Sequence, residues 1–117
     1  MTRAAEIVAA QWQQVLAYAD SVVDSVMVRA AYAQPRLREL HPAVSHGTLF
    51  LSRCTELPGS LVPVVYRKVE GGYQVDAHGI GSLGEVDAVE EAFALVVANL
   101  PKGCGPAVIG TAVDVPG

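Results

Sequence analysis

The chain has 117 residues, of which 51% are hydrophobic and only 17% charged, with a formal net charge of −4. That length gives one domain, because two halves would each be too small to bury a stable core. The charge excludes nucleic acid as a natural partner: twelve acids outnumber eight Lys and Arg, and Arg36 and Arg38, the nearest approach to a basic cluster, stand beside Glu39.

The acidic excess lies in the second half, where Arg67, Lys68 and Lys102 face seven acids. A charged fraction below the roughly 25% usual for soluble domains leaves apolar surface to cover. With a mean hydropathy of +0.34, a homo-oligomer or a partner protein is expected to cover it. No apolar run reaches the ~18 residues needed to span a bilayer. The start, Met1-Thr2-Arg3-Ala4-Ala5-Glu6, lacks the apolar stretch of an export signal. The expected compartment is the cytoplasm, where Cys54 and Cys104 stay reduced.

Val8, Trp12, Val15, Ala19, Val22 and Val26 recur at spacings of 4, 3, 4, 3 and 4, which marks one helix face. Asp20-Ser21 favours a break, so the spacing predicts helices over 3–19 and 22–33, the first capped by Thr2. Pro35 opens a short turn that ends before His41-Pro42, since a residue preceding proline is pushed out of α geometry. Thr48–Ser52, Leu61–Tyr66, Tyr73–Asp76 and Ile80–Glu85 read as four strands of an antiparallel meander. Pro63 assigns the second of these to an edge or a bulge, and Gly71-Gly72 turns the chain into the third.

Asp87 with Glu90 three residues on predicts a helix start, and Val89, Phe93, Val96, Val97 and Leu100 form its buried stripe up to Pro101. Ala107–Val115 reads as one further strand. The expected fold is α+β: N-terminal helices, a meander of about four strands, and a C-terminal helix packed on the sheet.

Neither a metal site nor a cofactor is expected. His41, His46 and His78 stand in no ligand spacing. Gly79-Ile80-Gly81-Ser82-Leu83-Gly84 spells the dinucleotide fingerprint, but the fingerprint requires a strand before it and a helix straight after, in a parallel unit. The candidates for chemistry lie at the two ends of the 48–52 strand. His46, in Ser45-His46-Gly47, is an acid–base candidate because imidazole titrates near neutrality. Arg53, in Ser52-Arg53-Cys54-Thr55, can clamp a carboxylate or phosphate. Ser45, Ser52, Cys54 and Cys104 are candidates for contacting a ligand or a partner. Ordinary structural roles are also open: a turn cap for Ser45, a backbone hydrogen bond for His46, pinning of the acidic C-terminal helix through Glu90 or Glu91 for Arg53, a buried apolar thiol for Cys54, and a helix-to-strand turn for Lys102-Gly103-Cys104-Gly105-Pro106.

Taken together, the run from Ala31 to Leu40, then Ser45-His46-Gly47, Ser52-Arg53-Cys54-Thr55 and Leu100 to Ala107 resemble a family of unknown function from high-GC Gram-positive bacteria. Its members are labelled natural product biosynthesis proteins. The resemblance covers residues 28–114 and departs from the family pattern at His41, where an aromatic residue is expected, and over Glu56–Leu61. It implies a pathway and no reaction. Three functions follow as expectations: an accessory or interaction protein of a biosynthetic pathway, a small cofactor-independent cyclase, isomerase or lyase using His46 and Arg53, or a binder of an apolar small molecule.

Overall fold

A computed structural model describes residues 2–55, 62–77, 80–100 and 104–110. The fold is α+β, as expected: helices α1 (Arg3–Leu16), α2 (Ser25–Tyr32) and α3 (Pro35–Arg38), strands β1 (His41–Ser45), β2 (Thr48–Ser52), β3 (Val64–Arg67), β4 (Tyr73–Ala77) and β5 (Gly81–Val86), then helix α4 (Val89–Ala98). Thr2 caps α1, its Oγ1 accepting from the Ala5 N–H at 3.1 Å. From that helix Val8, Trp12 and Val15 enter the core. Trp12 Nε1 donates to the Leu40 carbonyl at 2.9 Å, tying α1 to the chain just ahead of β1.

The stripe of apolar residues does not run on into α2 as its spacing suggests. Helix α1 ends at Leu16, and α2 restarts only at Ser25, capped by Asp24, whose Oδ1 accepts from the Val26 N–H at 2.9 Å. The Ser25 hydroxyl, and then its backbone N–H, hold the Asp20 carboxyl below the usual carboxylate range. Each of these short polar side chains satisfies a backbone donor that a continuous helix would have used internally, so the helical phase resets. Val23, Met27, Val28 and Ala31 therefore face the core, while Val22 and Val26 are 44% and 50% exposed.

The strands form two sheets in place of one meander. β1 pairs antiparallel with β2, and β3, β4 and β5 form a separate antiparallel meander in that order. β1 covers the stretch read from sequence as the end of a turn. In this two-stranded hairpin Pro42 pairs with Leu51 and is buried; an edge strand tolerates the N–H that proline lacks. Pro63 immediately precedes β3, another edge position.

The fingerprint glycines have a sheet role. Gly81 opens β5, and Gly84 sits opposite Val75 where the β4–β5 register shifts by one residue, a β-bulge. A Cβ on Gly84 would lie 3.3 Å from Leu95 Cδ2, so the missing side chain is what lets α4 approach the sheet. Asp87 does not cap α4: the N-cap is Ala88, with no side-chain hydrogen bond. Val89, Ala92, Phe93 and Val96 carry the helix onto the meander, with α2 packed on its other side. Arg67 Nη1, 3.2 Å from Asp24 Oδ2, links the end of β3 to the start of α2.

Candidate functional site

The bend after β2 gathers most of the polar residues singled out in the sequence. Ser52 Oγ accepts from the Cys54 N–H at 3.1 Å and lies 3.4 Å from Cys54 Sγ. Segment 104–110 runs alongside: Val108 N–H donates to the Arg53 carbonyl at 2.8 Å, and Thr55 N–H donates to the Val108 carbonyl at 3.1 Å. Gly110 N–H donates to Thr55 Oγ1 at 3.0 Å. From the other side, Ala107 N–H donates to the Glu39 carbonyl at 2.9 Å, and Arg36 Nη2 to the Cys104 carbonyl at 3.2 Å. The three motif segments 36–39, 52–55 and 104–107 are thus brought together, although they are far apart in sequence.

This cluster offers two guanidinium groups. Arg53 is half-buried, and a Cβ on Gly105 would come within 3.3 Å of its Nη2, so Gly105 leaves room for the guanidinium against the backbone. Arg36 reaches the neighbouring Cys104 carbonyl from α3. Guanidinium groups suit carboxylates and phosphates. The thiols are less suited to chemistry. Cys54 is 2% exposed and packed as a small hydrophobe, while Cys104 is half-buried, its Sγ 3.9 Å from the Gly105 carbonyl.

Ser45 and His46 lie elsewhere. His46-Gly47 is the two-residue loop between β1 and β2, flanked by the Ser45–Thr48 pair. Both loop residues have positive φ, +51° and +78°, the signature of a type I′ hairpin turn. Both Ser45 and His46 are exposed, and Ser45 Oγ lies 3.1 Å from His46 Nδ1. The five residues of β2 separate this tip from Arg53, about 17 Å of extended chain. His46 and Arg53 are not brought together.

The histidine at the Arg53 end of the hairpin is His41, which was not among the site candidates named from the sequence. It pairs directly with Ser52, so both side chains project from the face opposite buried Pro42 and Leu51. Burial pushes its pKa down. The available signal was its place one residue before Pro42, at the start of an alternating strand.

The second feature that sequence reasoning missed is a groove of about 360 Å³ between α2 and the start of α4. Val26, Ala30, Ala33 and Val89 give it an apolar lining, and Arg29, Gln34 and Glu90 supply the polar atoms. None of the candidate site residues named from the sequence lines it.

His78, Gly79, residues 56–61, Pro101, Lys102, Gly103 and the part of the expected strand beyond Gly110 lie outside the described residues; Val108 contributes a parallel bridge to Cys54. Among the described residues no three His, Cys, Asp or Glu side chains gather to hold a metal ion. No helix among them is long and apolar enough to cross a membrane.

The arrangement is a small α+β fold in which the side chains of Ser52, Thr55 and Arg36 bind the chain's own backbone. The chain belongs to a family of unknown function, DUF6193, whose model matches residues 6–111. No match is found among curated proteins or among solved structures.

Proposed function

We propose that this chain is a non-catalytic accessory protein of a natural-product biosynthesis pathway, acting in the cytoplasm by association with protein and without a cofactor of its own. The observation that carries this reading is the exposure of Val22 and Val26, 44% and 50%, beside the apolar groove of α2 and α4. Both valines belong to a stripe whose spacing would otherwise place it in the core, and exposed apolar side chains next to a concave apolar surface favour a partner. The polar motifs support the same reading from the other direction. Ser52 and Thr55 accept from backbone N–H groups, and Arg36 donates to a backbone carbonyl. The pathway setting rests on the resemblance of the motif runs to proteins carrying that label.

The test is complementation of a gene deletion in the native host, read as recovery of whatever metabolite the deletion removes. His46→Asn is expected to restore it in full and Val26→Asp to fail, both variants remaining folded by circular dichroism. A folded His46→Asn or Arg53→Lys protein that leaves the metabolite absent, with Val26→Asp restoring it, would instead favour catalysis by the His46 and Arg53 groups.

A further inference from the structure

We infer that the α2–α4 groove is filled by the same surface of a second copy of this chain, giving a two-fold symmetric dimer. The inference rests on the reading of the α2 face as an association surface and names its occupant. Helix α2 carries a ridge and a hollow in succession. Val22, in the preceding turn, and Val26 stand out from the surface. One to two turns further on, Ala30 and Ala33 present only methyl groups beside Val89 of α4. An antiparallel pair of α2 helices, related by a two-fold axis at the level of Val28, sets Val26 of each copy against Ala30 of the other and Val22 against Ala33. The contact is made twice by one patch, the defining property of an isologous interface. Alanine matters here because a longer side chain at 30 or 33 would fill the space that a valine from the partner needs.

Charge points to the same occupant. The groove has one cation, Arg29, and one anion, Glu90, so the patch is neutral although the chain carries −4. Among the described residues the ion pairs are Arg67–Asp24, Lys68–Glu70 and Lys68–Glu85, and Arg29 does not pair with Glu90 within the chain. Arg29 instead donates to the Ser25 hydroxyl at 3.1 Å. A partner with a strongly charged face would gain nothing from a neutral patch. A copy of the same patch presents a carboxylate for the guanidinium and a guanidinium for the carboxylate. One eight-residue helix and the first turn of another make a small interface, below about 1,200 Å² in total, so the dimer should be weak and concentration-dependent.

Sedimentation velocity of the full chain from about 1 to about 300 µM tests this. The wild-type chain is expected to pass from monomer to dimer across that range, and Val26→Asp to weaken the association by at least about tenfold. Arg29→Glu and Glu90→Arg should each weaken it by about threefold or more, and R29E/E90R together should recover most of the loss. All three positions changed are exposed, and thermal melts confirm that each variant folds. A chain that stays monomeric at the highest concentration overturns the inference, as does a dimer indifferent to Val26→Asp or a double variant weaker than both singles. The complementation experiment separates the two readings. A monomeric wild type whose Val26→Asp variant still fails to complement leaves association standing and removes the second copy as occupant. A charge-swappable dimer whose folded His46→Asn variant fails to complement keeps the dimer and removes the non-catalytic role.

Discussion

Exchanging His46 for residues with graded tolerance of positive φ should rank stability by backbone preference and not by imidazole chemistry. His46 holds φ at +51° as the first residue of the β1–β2 turn. Left-handed backbone costs an L residue roughly 1–2 kcal/mol, least for Asn and most for a β-branched side chain. The hydrogen-bonding distance to Ser45 Oγ is on the surface, where losing one exposed contact costs at most about 0.5 kcal/mol. His46→Asn should therefore match the wild type or exceed it slightly, and His46→Val should lose about 1–2 kcal/mol. At roughly 2.1 cal/mol/K per residue of unfolding entropy, 117 residues give about 0.25 kcal/mol/K, so the Val variant should melt about 4–8 °C lower. Melts followed by far-UV circular dichroism, with urea titrations to show an unchanged m-value, measure the difference. A Val variant that melts with the wild type would mean the turn is not left-handed. An Asn variant that falls as far as Val would mean that the imidazole itself anchors the hairpin.

Two other positions have equally definite outcomes. Gly84→Ala should destabilise the domain by about 1–3 kcal/mol, because φ at 84 is +156° and the new methyl would lie 3.3 Å from Leu95 Cδ2; adding Leu95→Ala should not rescue the backbone part, and urea titration of both variants checks this. Burial holds His41 below the ordinary histidine value, near 6.5, so the unfolded chain takes up that proton first as pH falls and stability drops below neutrality. His41→Phe should melt progressively higher than wild type as pH is lowered from about 7 to about 5, while parallel melting curves for the two proteins would refute the assignment.

The sequence was legible where one local period governs the structure. The Val8, Trp12, Val15 stripe and the Val89, Phe93, Val96 stripe each lie on a single helix packed on a single surface, and both are buried as their spacing requires. It misled where a local capping bond competes with that period. Asp20 and Asp24 each accept a backbone hydrogen bond, which ends the continuity of the stripe and leaves Val22 and Val26 outside. The groove was invisible for the same reason, since Val26 and Val89 in its lining had been read as members of apolar helix stripes. The split of the strands into two sheets was also illegible, because pairing of β2 with β1 depends on a two-residue His-Gly turn in place of the commoner Asn-Gly, and on a proline inside an edge strand.

The polar motifs raise a different problem, because a Ser, Arg or Thr in a loop looks the same in sequence whether it faces a ligand or a backbone amide. Segment 104–110 shows what distinguishes the two. Among the described residues it joins no sheet: Val108 bridges to Cys54, and further bonds go to the Glu39 carbonyl, Thr55 Oγ1 and Arg36 Nη2. The buried Ala107 depends on the 36–39 run in this way, since a buried backbone donor left unmade costs about 1–3 kcal/mol. Ser52 adds the bend that aims Cys54 inward. Ser52, Thr55 and Arg36 thus have a structural reason to be polar. Val22 and Val26 have no such reason inside the monomer. For that reason the exposed face of α2, and not the polar bend after β2, is where a partner should be sought first.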